Sequence, residues 1–276
     1  MLKLMYITNN PEIASIAEDA GVDRVFIDME YIGKSIRQGG MNTVQCHHTV
    51  DDVKKIKKVI KKAQLMVRVN PLHRESDEYC SSEEEINAVI EAGADLVMLP
   101  YFRSAEDVER FVKIVNGRVK VFPLLESKDA LEHIDEILEV PGIDEIHIGL
   151  NDLSLDLKKK FMFELLADGT VEMLCGKFKR KGIPYGFGGI GRLGKGDLPA
   201  EYVIKEHYRL GSECAILSRS FCNTNIVTDK YEIKKIFDEG MKAIRNLELE
   251  CLKHQRYFTE NELFVREKVE SIVRMR

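Results

Sequence analysis

The chain has 276 residues, with 41 Lys+Arg against 46 Asp+Glu and a formal net charge of −5. That length suits one large domain, about 200–250 residues for an α/β barrel, or two small ones. An acidic balance argues against a nucleic-acid binder, which needs a basic face. No run of about 20 apolar residues is present to span a membrane. The start, MLKLMYITNNPEIA, lacks a cationic segment followed by an apolar stretch, so no signal peptide is expected. Cys46, Cys80, Cys175, Cys214, Cys222 and Cys251 are scattered without a CxxC pair. They read as reduced thiols of a cytoplasmic protein.

Short β-branched runs alternate with segments whose apolar residues recur every three to four positions. Leu4–Thr8 is followed by PEIASIAEDAG, a helix with proline in its first turn and Gly21 at its end. Arg24–Met29 leads into a long loop from Glu30 to His48, then a basic helix over Val50–Lys62. The third to fifth strands are Leu65–Asn70, Asp95–Pro100 and Val119–Glu126, each trailed by a helical pattern. Asp144–Leu150 is the sixth, with a helix over Val171–Arg180. Ile183–Phe187 is the seventh, followed by a glycine-rich loop and a helix over Ala200–Arg209. Glu213–Ser218 is the eighth, with a helix starting near Asp229.

Strands joined by helices run parallel, because a helical crossover returns the chain to the same end of the sheet. Eight units are the number that closes a (β/α)8 TIM barrel, with a doubly wound open sheet as the alternative. No low-complexity linker divides the chain, so residues 1–276 read as one domain. Residues 231–276 carry more helical pattern than one closing helix needs. They are expected to form a C-terminal helical extension that contacts another subunit of a homo-oligomer.

In a parallel barrel the chemistry gathers at the carboxyl ends of the strands. Those ends carry Asp28 and Glu30, Arg68, Glu126, Asn151 and Asp152, and Ser218 with Arg219. The opposite ends carry Asp23, Asp95, Asp144 and Glu213, which read as solvated or capping residues. Arg68 stands inside the apolar run MVRVN. A guanidinium there cannot lose its proton, so it is paired with Asp28 or Glu30 or faces a substrate anion. Glu126 and Asp152 lie 26 residues apart, one βα repeat. They either cap the helices that follow or share one hard cation, with water and substrate oxygens completing its shell.

The stretch GFGGIGRLGKGD matches GxGxxG in letters, but no helix opens directly after it. It reads as a plain loop, or as close backbone approach to substrate at Gly188 and Gly189. The Glu30–His48 loop holds Lys34, Arg37, His47 and His48. Its charges either meet an anionic substrate or face solvent. Adjacent histidines diverge by about 100° on a helix, so His47 and His48 do not chelate one ion together. No lysine ends a strand, which argues against a Schiff-base enzyme and for metal-assisted chemistry, although Lys34 or Lys195 could reach in from loops.

In order, PEIASIAEDAGVDRVFIDME, MVRVNP, INAVIEAGADLVMLPYFRSAEDV, FPLLES, DALEHIDEIL and VPGIDEIHIGLNDLS resemble the pyruvate-type class II aldolase and citrate lyase beta-subunit family. The resemblance covers about residues 10 to 157. It implies a metal-dependent TIM barrel, usually with Mg²⁺ and with Mn²⁺ as the alternative, that makes or breaks a C–C bond beside a carbonyl. It implies that Arg68 grips the pyruvate enolate or carbonyl oxygen and that Glu126 and Asp152 hold the metal. In the aldolase branch a histidine follows the strand-2 Asp-x-Glu, and Tyr31 stands there instead. The general base is then His48, Tyr31 or a metal-bound water, with Asp28, Glu30, Gly188, Gly189, Asn151 and Ser218 around the substrate.

Three functions follow from these residues. The first is a lyase acting through a 2-oxo acid enolate and an aldehyde. The second uses an acyl-CoA thioester, as in the citrate lyase branch. The third is a non-catalytic barrel that binds an anionic metabolite. Arg68→Ala is expected to remove turnover and leave the fold intact.

Overall fold

The computed structural model describes residues 1–34, 47–253 and 255–276. Arg37, Cys46 and His254 fall outside them. Eight strands close into a parallel barrel in sequence order. They are β1 (Lys3–Ile7), β2 (Arg24–Asp28), β3 (Gln64–Arg68), β4 (Leu96–Leu99), β5 (Lys120–Leu125), β6 (Ile146–Ile148), β7 (Tyr185–Ile190) and β8 (Cys214–Leu217). β8 pairs back onto β1 through Leu4↔Ala215 and its neighbours, which closes the ring.

Every strand is covered on both faces, so its residues are apolar without alternation. Met5, Phe26, Met66, Leu96, Met98, Phe122, Leu124 and Cys214 fill the inside of the barrel. Residues of opposite parity, such as Leu4, Val25, Ile27, Val67 and Val97, pack against the outer helices. Truncating a fully buried aromatic such as Phe122 costs about 3–5 kcal/mol.

The helices start where the sequence supplies caps. Asn10 accepts the Glu12 and Ile13 N–H groups at the head of α1 (Pro11–Asp19). Thr49 and Asp52 form a reciprocal capping box on α2 (Val50–Val59), as Ser81 and Glu84 do on α3 (Ser82–Glu91). The aspartates at the amino ends do more than meet solvent. Asp23, Asp95 and Asp144 each accept the N–H of a residue at the start of the preceding strand: Leu4 at 2.8 Å, Leu65 at 2.7 Å and Val121 at 2.8 Å. They staple one strand to the next.

β7 runs further than expected, through Gly186–Ile190. A Cβ on Gly186 would meet the Cys214 carbonyl oxygen at 2.3 Å, so the glycines let β7 lie close against β8. After α4 (Ala105–Val115), the helical region behind β5 breaks at His133 into α5 (Lys128–Glu132) and α6 (Ile134–Ile137). β6 is followed by α7 (Leu150–Asp156), α8 (Glu164–Ala167) and α9 (Thr170–Lys181), and β7 by α10 (Ala200–Leu210).

The tail forms α11 (Lys230–Lys253) and α12 (Phe258–Met275). Val265, Val269 and Ile272 are buried, Tyr202 stacks on Phe264 at 3.7 Å, and Asn261 donates to Glu206. The last helix thus packs part of its apolar face on its own barrel, while Leu263 and Met275 stay exposed.

Candidate active site

A cavity of about 1060 Å³ opens at the carboxyl ends of the strands. Asp28, Lys34, His48, Arg68, Glu126, Asn151, Asp152, Gly188, Gly189 and Ser218 all line it. Tyr31 and Glu30 are not among its lining residues.

Arg68 ends β3 directly beside Asp28, its register partner on β2. Nε donates to Asp28 Oδ1 and Nη2 to Oδ2, both at 2.8 Å, which is a fork-on-fork pair. Its side chain is 12% exposed and lies 5.5 Å over the Phe26 ring. Arg68 is thus ion-paired, and it also lines the cavity. Burial works against its charge, but Asp28 and Glu30 push the guanidinium well above its ordinary value. Burial alone would raise Asp28, yet Arg68 and Lys34 hold its carboxyl far below the usual range.

Glu30 is fully buried, 3.4 Å from Arg68 Nε and 3.2 Å from Lys34 Nζ. The expectation that Glu30 contacts substrate is corrected: it lies behind Arg68 and Lys34, with no surface on the cavity. Tyr31 is corrected too. Its N–H and that of Ile32 donate to Asn70 Oδ1, both at 2.9 Å, and its ring packs on Tyr79 with centroids 5.3 Å apart. Burial, with Glu85 and Tyr79, raises its phenol, so the phenolate that would act as a base is not its resting form.

The same turn brings in Lys34, one of the two lysines that the sequence allowed to reach in from loops. Asn70 holds residues 31 and 32, and the chain bends so that Lys34 is buried with Nζ 3.0 Å from Asp28 Oδ2. A lysine thus does reach the cavity, from the loop and not from a strand end.

His48 lines the cavity, and its Nδ1 accepts the Asp28 N–H at 3.0 Å. That nitrogen must be bare, so the neutral ring carries its proton on Nε2. Burial lowers its pKa, which keeps this tautomer neutral. His48 is placed to donate a hydrogen bond, and its basic nitrogen is already used.

Glu126 follows β5 and Asp152 sits in the first turn of α7, after β6; they are 3% and 6% exposed. Glu126 Oε1 accepts the Tyr101 N–H at 3.1 Å, and Tyr101 holds a left-handed φ of 47°. Such a conformation costs a bulky residue roughly 1–3 kcal/mol and persists where its surroundings enforce it. A Cβ on Gly149 would stand 2.8 Å from Glu126 Oε2, so this glycine leaves the space the carboxylate fills. Asn151 donates to Asp152 Oδ1 at 3.0 Å. Gly188, at φ 52°, could not carry a Cβ without meeting Leu150 at 2.5 Å. Its carbonyl accepts from His147 Nε2 at 3.1 Å. Ser218 Oγ lies 2.7 Å from Ser220 Oγ.

The donor set suits a hard divalent cation. Two buried carboxylates line the one cavity, and Gly149 leaves room for one of them. Among the described residues no group of three or more His, Cys, Asp or Glu could hold an ion. The chain would then supply two oxygen ligands and leave the remaining positions to water and substrate.

A (β/α)8 barrel with a forked arginine and two carboxylates at its mouth is the class that fold and site define. Residues 3–164 match the HpcH/HpaI aldolase/citrate lyase profile, and the chain belongs to that family. Over 50 residues it is 44% identical to 2-keto-3-deoxy-L-rhamnonate aldolases of Escherichia coli strains O1:K1 / APEC and K12. That stretch is 18% of this chain and spans only 19% of those relatives' length. An HpcH/HpaI aldolase from Desulfitobacterium hafniense DCB-2 superposes with a TM-score of 0.59 at 18% identity, covering 79% of this chain and 86% of the other. A family protein from Burkholderia cenocepacia J2315 gives 0.61 at 14%, covering 84% and 95%. These two likenesses speak for the fold.

Proposed function

We propose that the chain is a divalent-metal-dependent carbon–carbon lyase that works through the enolate of a pyruvate-like 2-oxo acid and an aldehyde. One observation carries the reading: Arg68, Glu126 and Asp152 line a single cavity at the carboxyl ends of the strands. Family membership supports the same class of reaction.

Glu126 and Asp152 would hold the cation, Mg²⁺ or Mn²⁺. When bound it supplies Lewis-acid polarisation of the 2-oxo acid's carbonyl. Arg68 presents a fixed positive charge for the oxygen on which the enolate's negative charge develops. Asp28 has already oriented the guanidinium, so little reorganisation is needed during the reaction. His48 donates its Nε2 proton as a hydrogen bond to a substrate oxygen. Gly188 and Gly189 let the backbone approach the substrate, and Asn151 and Ser218 offer polar contacts at the rim.

Exchange of solvent deuterium into the methyl group of pyruvate tests this without knowledge of the aldehyde. The metal-loaded protein is expected to catalyse it. Absence of exchange under Mg²⁺ and Mn²⁺ alike would remove the enolate from the account.

A further inference from the structure

Below the mouth of the barrel four charges close a ring. Asp28 Oδ2 receives Arg68 Nη2 at 2.8 Å and Lys34 Nζ at 3.0 Å. Glu30 Oε2 lies 3.2 Å from the same Nζ and 3.4 Å from Arg68 Nε. Asp28, Glu30 and Lys34 are 2%, 0% and 4% exposed, so water screens little of this. Among the described residues, these two cations and two carboxylates sum to zero. Without Lys34 the ring would carry one net negative charge, placed at the residue meant to meet an anion.

We propose that Lys34 is a positioning residue: by sharing Asp28 and neutralising Glu30, it leaves the Arg68 charge available to the substrate's anionic oxygens. This rests on the enolate reading above. The geometry favours such a role over a nucleophilic one. A nucleophilic lysine would have to turn Nζ toward a carbonyl and give up both ion pairs, at 3.0 and 3.2 Å. The ring stands on other elements than the cation clasp, although the Glu126 carboxylate also acts on the Arg68 charge. Glu126 and Asp152 come from β5 and α7, whereas the ring is built from β2, β3 and the turn at Asn70. Its contribution should therefore appear mainly in anion affinity.

The test measures two quantities on the Mn²⁺-loaded protein: affinity for oxalate, a dianion shaped like the pyruvate enolate, and KM and kcat for pyruvate deuterium exchange. Lys34→Met is expected to weaken oxalate binding and raise KM at least about tenfold, with kcat changed less than about threefold. Lys34→Arg keeps the charge and should stay near wild type. Lys34→Met combined with Glu30→Gln returns the ring to zero, so both values should recover to within about threefold of wild type. A wild-type oxalate affinity in Lys34→Met overturns the proposal. So does a double variant as impaired as the single one, because packing and not charge would then be at stake. Trapping of pyruvate on Lys34 by borohydride would overturn it by showing a neutral nucleophile. Wild-type protein that binds oxalate yet exchanges no deuterium would sink the lyase reading instead, and the oxalate comparison would still decide the role of Lys34.

Discussion

Arg68→Ala ought to unsettle the fold as well as the chemistry, contrary to what the sequence alone led us to expect. The substitution removes two charge-assisted hydrogen bonds of 2.8 Å to Asp28 and a 3.4 Å contact to Glu30. It leaves two buried carboxylates with Lys34 as their shared cation. Breaking a buried pair from one side costs about 3–5 kcal/mol, a large share of the about 5–15 kcal/mol that a domain holds in total. Adding Asp28→Asn to Arg68→Ala removes the surplus negative charge and should return about 2 kcal/mol of that loss. Pyruvate exchange should stay absent in both variants. Urea unfolding of wild type, single and double variants reads the stabilities directly. Equal stability of wild type and Arg68→Ala, or no recovery in the double variant, would refute the account of Asp28 as the carboxylate that holds Arg68.

Other tests probe the surroundings. Burial pushes His147 down to about 4 and His207 to about 3. Both groups lie below the ordinary histidine value, so the unfolded chain takes up protons first as pH falls through about 6.5. Stability should drop by about 4 kcal/mol between pH 7 and pH 5, at about 1.4 kcal/mol per unit for each ring, and a flat urea midpoint over that range would count against two buried neutral histidines. Gly149→Ala drives a Cβ to 2.8 Å from Glu126 Oε2 and 2.9 Å from its Cβ, so it should lower the metal-free thermal midpoint and abolish any rise that Mn²⁺ produces in wild type. Tyr31→Phe should leave exchange within about twofold of wild type, because its ring faces Tyr79; a loss of tenfold or more would return Tyr31 to the chemistry.

Much of the barrel was legible because each strand–helix unit repeats one hydrophobic pattern with a visible cap. Arg68, Glu126 and Asp152 were legible by the same logic, since a strand end in a parallel barrel fixes where its side chain arrives. Contacts made across the chain were not. Glu30 and Tyr31 sit beside Asp28 in sequence, yet the turn pinned by Asn70 sends one beneath the site and the other out toward Tyr79. Lys34 sat in a loop whose length hid its burial. Tyr101 carries no local sign of a left-handed backbone, because its surroundings and not its residue type impose it. Arg24 is fully buried beside Glu145 at 2.6 Å, at the far end of the barrel from Arg68. From sequence alone an arginine opening a strand looks solvated.

Calorimetric titration of Mn²⁺ into wild type, Glu126→Gln and Asp152→Asn addresses the core of the account. Wild type should bind one ion per chain, and each variant should lose at least about tenfold in affinity, since each removes one of the two carboxylates proposed to hold it. Unchanged binding in both variants would mean that these carboxylates do not clasp the metal.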